Sequence, residues 1–231
     1  MNDNNLNRYD SKIGRHKILK YLDKSNLKYS SLWSAEAKFG FPHLKKKIES
    51  LKINSNILEV GCGSGILMSM LIEEHPEHNF CGIEPFFDGF DQLKELNSFV
   101  KNIGVNLSIE SYEKHSPKKK YDLIYCVNVF EHVKDWRHFI CWAAANLNHE
   151  GTFLVLCPNY GFPYESHFQI PIILNKNLTY KIFKKHIQNF EKKNDYLGMW
   201  DSINFVKKKE VQIFINQKKQ FLNLKMSDDI S

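Results

Sequence analysis

The chain has 231 residues, 42% of them hydrophobic and 25% charged, with a formal net charge of +6. That is enough apolar material for one sizeable core, so a single domain is the default. No apolar run reaches the ~18 residues that a membrane-spanning helix needs, the polar start Met1-Asn2-Asp3-Asn4-Asn5 lacks the apolar stretch of a secretory leader, and the five cysteines form no C-x-x-C pair, so we expect a reduced, cytoplasmic protein.

Residues 1–12 read as disordered, and apolar spacing predicts helices over 13–26 and 31–51 with a break at Gly40-Phe41-Pro42. The run Ile57-Leu58-Glu59-Val60 then leads into Gly61-Cys62-Gly63-Ser64-Gly65, and an amphipathic segment from Ile66 to Glu74 follows. That order is strand, tight loop, helix. Alternate glycines let the backbone turn sharply and approach a ligand closely. Ile66 stands where the dinucleotide pattern G-x-G-x-x-G requires its last glycine, and the phosphate-cradling G-x-x-x-x-G-K-[ST] loop is absent. A carboxylate at the strand end, Glu59, suits a cationic ligand better than a polyphosphate; it can equally cap the next helix or orient the loop.

The second strand, Phe80-Cys81-Gly82-Ile83, ends at Glu84, 19 residues after Gly65. In a β-α-β unit this acid lies across from the glycine loop, where it can accept both hydroxyls of a ribose. A third strand is expected from Val105 to Glu110, followed by Ser111. The fourth, Tyr121 to Val127, runs into Asn128-Val129-Phe130-Glu131-His132, and Trp136 opens a helix. Leu147 to Gly151 reads as a helix end and glycine turn before a buried fifth strand. The next segment, 158–168, gathers aromatics with Glu165 and His167. It follows a strand end, where ligands sit in open α/β sheets. We expect it to form a substrate wall, with Tyr164 and Glu165 facing the substrate. A helix from Leu178 to Glu191 follows, then a helix from Lys207 to Lys218 and a sixth strand over Phe221 to Met226.

Five of these pieces, over roughly residues 50–160, resemble class I S-adenosylmethionine (SAM)-dependent methyltransferases, in the small-molecule, ubiquinone-type O-methyltransferase-like branch. The resemblance implies an α/β fold: a Rossmann-like, doubly wound, mostly parallel sheet of six to seven strands with helices on both faces. It implies one domain over 1–231, made of a helical cap (1–52), a SAM-binding core (53–157), a substrate-lid insertion (158–205) and a C-terminal helix and strand (206–231). SAM would be held by Glu59, Gly61, Cys62, Gly63 and Gly65 of the first motif, by Glu84 at the ribose, by Glu110 and Ser111 at the adenine, and by Asn128.

The implied activity is methyl transfer to a small-molecule acceptor, through an oxygen. His167 and His132 are the expected bases, since histidine titrates near neutrality. Ubiquinone-type relatives hold a divalent ion with Glu-x-x-Glu-His after the fourth strand. Asn128 here removes one of those carboxylates, so no tightly bound metal is expected. Lysines at 45–47, 118–120 and 207–209 keep an RNA or protein acceptor as the alternative. Against it, 126–129 lack the [Asn/Asp]-Pro-Pro-aromatic loop of exocyclic-amine nucleic-acid methylases. A catalytically silent homologue is the third reading, because little chain follows Met226. Nothing in the sequence indicates an oligomeric state.

Overall fold

In the computed structural model, residues 16–25, 27, 30–85, 96, 100–101, 105–222 and 226 are described; the segment 1–12 lies outside them. The helices Lys17–Lys24 (α1) and Ser30–Ile48 (α2) precede a β-α-β unit made of Asn56–Val60 (β1), Ile66–Glu74 (α3) and Asn79–Ile83 (β2). There follow Leu107–Ser108 (β3), Tyr121–Val127 (β4), a 3-10 turn at Phe130–His132, Trp136–Asn146 (α4) and Leu147–Leu156 (β5). The insertion holds a hairpin, Tyr164–Glu165 (β6) with Ile170–Pro171 (β7), and the helices Lys176–Asn194 (α5) and Met199–Ser202 (α6). Lys208–Leu222 (α7) comes last.

The main sheet runs β3-β2-β1-β4-β5, with every pairing parallel. The chain leaves β1 toward one edge and returns through β4 toward the other. The crevice at the carboxyl ends of β1 and β4 is therefore the switch point where open α/β sheets bind ligands. Successive strand residues serve opposite faces. Ile57, Leu123 and Tyr125 pack with α1, α2 and α3. Leu58, Val60, Ile124 and Cys126 pack with Phe139, Ile140 and Ala143 of α4 and, at its margin, with Val211 and Phe214 of α7. Burial on both faces is why these strands read as continuous apolar runs rather than alternating ones. The insertion has its own cluster of Tyr160, Phe168, Ile170, Ile187, Trp200 and Ile203. Among the described residues no helix is long and apolar enough to cross a membrane.

Four expectations are corrected. The described sheet has five strands, not six to seven. Phe221 and Leu222, expected to open a sixth strand, are the last turn of α7, and 223–225 lie outside the described residues. The break at Gly40-Phe41-Pro42 does not occur: α2 continues through Pro42. An interior proline forfeits one helix hydrogen bond, but Trp33, Ala37, Phe41, Leu44 and Ile48 on that helix are all buried in the core. Gly40 is there for closeness, since a Cβ would lie 2.9 Å from Leu67 Cδ2. The third strand is only Leu107–Ser108, so Glu110 and Ser111 lie on a loop beyond it. Finally, Gly151 is inside β5 and not at a turn before it. The pairing jumps from Tyr121↔Leu147 to Leu123↔Thr152, a bulge that absorbs the extra β5 residues. A Cβ on Gly151 would sit 2.9 Å from the Tyr121 carbonyl oxygen.

Candidate active site

The glycine loop is fixed from below. The Gly61 and Cys62 N–H groups donate to the Ile83 carbonyl at 2.9 and 3.2 Å, and Gly65 N–H donates to Cys62 O at 2.7 Å. Gly61, Gly63 and Gly65 all have positive φ (71°, 50° and 73°), a region that disfavours side chains. A Cβ on Gly61 would also run into Val129, so the loop after β4 closes over the loop after β1. Gly63 N–H donates to Glu84 Oε2 at 2.9 Å, which brings the two sequence-predicted motifs into direct contact. Cys62 is buried and its thiol pKa is pushed well up by that burial, which disfavours the reactive thiolate.

Glu59 is also buried, and its Oε2 has no hydrogen-bond partner. Burial raises its pKa to about 8; the nearby Tyr125 hydroxyl works the other way, and the Glu84 charge adds to the rise. A buried carboxyl with a raised pKa and an orphaned oxygen is one whose ionised form a nearby cation would stabilise, so Glu59 beside Glu84 and the glycine loop fits a ligand that carries positive charge. Asn128 follows β4 in the left-handed region (φ 53°), with its N–H bound to Leu156 O at 2.8 Å. Glu110 is engaged elsewhere: its Oε1 is 2.9 Å from His115 Nδ1, and His115 Nε2 is 2.8 Å from the Tyr121 hydroxyl.

The second half of the site comes from the insertion. Glu165 has no exposed surface. Its Oε1 lies 2.6 Å from His167 Nδ1 and accepts the Tyr160 hydroxyl and the His167 N–H, each at 3.2 Å; its Oε2 accepts Phe168 N–H at 2.6 Å. Glu165, expected to face the substrate, is thus a fully enclosed carboxylate with four hydrogen-bonding groups around it, among them the His167 ring. Tyr164, its neighbour on β6, is 43% exposed and does face outward. With Nδ1 held, His167 presents Nε2, which lies 3.8 Å from Glu131 Oε1. His132 has Nδ1 on Ser202 Oγ at 2.9 Å and its ring 5.9 Å from that of His167.

The electrostatics divide the two histidines. Burial opposes charge on His167, but the bond and charge of Glu165, then Glu131 and Glu36, outweigh it and raise the pKa. For His132, burial and the neighbouring His167 lower the pKa to about 4, so it is neutral at physiological pH. Glu131, 1% exposed with no hydrogen bond to either carboxylate oxygen, is raised to about 7 chiefly by burial. Glu36 of α2 is also raised by desolvation and lowered by His167, which brings the N-terminal helices to the same cluster. Sequence reasoning missed Glu131 and Glu36 as site residues. Glu131 was visible as half of a Glu-His pair; Glu36 had no signal beyond its helix.

The expectation of no metal counted ligands along one loop. The structure adds His167, so that Glu131, His132 and His167 each offer a ligand atom within 4.8 Å of the others. Glu165 behind His167 and Ser202 behind His132 supply the supporting bonds that metal-binding imidazoles use. The residues thus fit a divalent cation of the borderline class better than Mg²⁺ or Ca²⁺, which prefer oxygen ligands.

Comparison with known proteins agrees with this architecture. A protein of Mycobacterium tuberculosis of uncharacterised function is 29% identical over 184 residues, covering 78% of this chain and 62% of that protein. The chain therefore spans less than two thirds of that relative's length. The ubiquinone biosynthesis O-methyltransferase of Hydrogenovibrio crunogenus is 31% identical over 153 residues, or 60% of this chain and 61% of that one. Among solved structures, the plantazolicin methyltransferase BpumL, in complex with a desmethyl analogue and S-adenosylhomocysteine (SAH), superposes with a TM-score of 0.54 over 92% of this chain and 72% of that one. At 15% identity this shows the shared fold. The family model described as a methyltransferase domain matches residues 17–207, and the chain belongs to that family.

Proposed function

We propose that the chain is a SAM-dependent methyltransferase acting on a small-molecule acceptor through an oxygen. The observation that carries the reading is the contact between the glycine loop and Glu84, beside the buried Glu59. On this reading Glu84 accepts the ribose hydroxyls, the loop backbone at Gly61, Gly63 and Gly65 approaches the ligand, and Glu59 and Asn128 line the same crevice. Glu110 and Ser111 are the weaker members, since Glu110 is held by His115. SAM, when bound, supplies an electrophilic methyl group.

His167 is the base in this reading. Glu165 fixes the tautomer and ring orientation, so that the free Nε2 takes the proton of the acceptor hydroxyl. Because its pKa is raised, the base form is reached at higher pH than for an ordinary histidine. His132, Glu131 and Glu36 surround it, and the insertion 158–205 encloses the acceptor within a single domain. A second reading is favoured by the orphaned Glu131 carboxylate: a divalent cation held by Glu131, His132 and His167 would lower the pKa of an acceptor hydroxyl directly.

Calorimetric titration with SAM and SAH tests the cofactor half. We expect binding that Glu84→Ala abolishes. Unchanged affinity in that variant would remove Glu84 from the ribose, and no binding by the folded wild type would favour the silent homologue. His167→Ala should leave SAH affinity intact and lower turnover by about 100-fold or more, the usual range for loss of a general base. Activity on RNA or protein that falls with salt would replace the small-molecule reading.

A further inference from the structure

A second group of metal-competent side chains lies at the opposite edge of the sheet, in the turn His75-Pro76-Glu77-His78 between α3 and β2. Glu77 Oε1 is 3.4 Å from His75 Nδ1 and 3.5 Å from His78 Nε2. Both separations exceed the 2.7–3.2 Å usual for N–H···O hydrogen bonds. They match something else. Two ligands at ~2.05 Å from a tetrahedral zinc ion, about 109° apart, are separated by ~3.3 Å. One ligand atom from each of the three residues lies within 4.8 Å of the others.

We propose that this turn is a zinc site, with His75, Glu77 and His78 as ligands and solvent in the fourth position. The turn is built in advance. His75 caps α3 through its N–H to Leu71 O at 2.8 Å, and Pro76 fixes the next φ. The Glu77 carbonyl accepts from Asn54 N–H at 3.1 Å, and Asn79 N–H donates to Ser55 O at 2.9 Å, so backbone bonds to 54–55 hold the turn on both flanks. The two imidazoles are buried (side chains 10% and 3% exposed) while Glu77 is 40% exposed, which leaves the ion an approach from solvent on the carboxylate side.

The other nitrogens, His75 Nε2 and His78 Nδ1, are buried without hydrogen-bond partners. Two buried rings that share one overlong carboxylate contact gain little from it as it stands. Asp122 also faces His78, but it is engaged by the Asn56 N–H at 2.8 Å and Asn148 Nδ2 at 2.6 Å. Three ligands of N, N and O type select Zn²⁺ or Co²⁺ over Ca²⁺ and Mg²⁺. An ion here would pin the far end of the helix whose first turn carries the glycine loop.

The test is titration of the full chain with zinc chloride, beside Glu77→Gln, His78→Asn and His132→Ala. The exposed Glu77 keeps the test informative even if a buried histidine variant misfolds. We expect one zinc per chain whose affinity falls at least tenfold in Glu77→Gln and His78→Asn and is unchanged in His132→Ala, which separates it from any ion at the acceptor cluster. Saturating zinc should raise the melting temperature of the wild type by about 5 °C and not that of Glu77→Gln. Cobalt(II) should give the visible absorption of a tetrahedral site, lost in Glu77→Gln. A Glu77→Gln isotherm that superposes on the wild type, or a wild type that takes up no zinc outside the acceptor cluster, overturns the proposal.

Discussion

His167 has one nitrogen bound and one free, and the bound one faces a carboxylate that solvent does not reach. Replacing Glu165 by Gln keeps the shape and an acceptor oxygen but removes the charge that raises the His167 pKa. The sign follows directly. With the negative charge gone, the imidazolium loses its main stabiliser, its pKa falls, and the acid limb of kcat/KM moves to lower pH. Turnover at the optimum should drop on the order of 10- to 100-fold, because the ring is less firmly oriented. A pH–rate profile checks both; an unshifted acid limb would show that His167 is not the titrating base. This pairing was only half legible in the sequence. Glu165 and His167 stood two apart in an aromatic loop after a strand, which suggested a site but not which residue faced it. The hairpin geometry decides that, since adjacent strand residues point to opposite sides, and so Tyr164 is exposed where Glu165 is enclosed. The position of Glu84 beside the glycine loop was legible, because the distance from such a loop to the next strand end is set by one helix and one turn.

Among the elements, α4 shows why local signals work where they do. Asp135 accepts from Arg137 and His138 N–H at 3.1 and 3.0 Å, meeting two of the orphaned donors at the helix start. Asp135→Ala should cost about 1 kcal/mol and lower the melting temperature by about 2–4 °C; a scan with SAH present and absent should show the same drop, since the cap lies outside the cofactor crevice. Strands β1, β2 and β4 were readable because double-sided burial writes an unbroken apolar run. The failures have a common cause. Gly40, Pro42 and Gly151 are turn or break residues in local terms, and each is overridden by packing: α2 by its buried face, Gly40 by Leu67, and Gly151 by the Tyr121 carbonyl. The end of α7 failed for the same reason, because Phe221-Leu222 suits either a strand or an amphipathic helix, and Val211 and Phe214 already commit the segment to packing as a helix.

At the scale of the whole molecule, the glycine loop and the His167 cluster rest on different cores. The glycine loop and Glu84 stand on the sheet, whereas His167 stands on a hairpin supported by Phe168, Ile187 and Trp200. Trp200 is the centre of that support: it is 3% exposed, meets the rings of Phe168, Tyr180 and Phe205, and its backbone N–H donates to Glu191 Oε1 at 2.9 Å. Truncating a buried aromatic to Ala costs ~3–5 kcal/mol where the site cannot collapse. If the two cores are energetically separable, that cost falls on the insertion alone. Trp200→Ala should then retain SAH binding while losing most turnover, and hydrogen exchange should rise across 164–203 but not in β1, β2 or β4. The insertion is also tied to the sheet through Asn204, whose N–H and Nδ2 donate to Glu131 O at 2.6 Å and Val133 O at 2.8 Å. Through those bonds, loosening the insertion releases Glu131 and His132 as well, so the acceptor cluster should fail as a unit. Parallel loss of SAH binding would show instead that the insertion and the sheet fold as one cooperative core, and that the cofactor crevice depends on the lid for its stability.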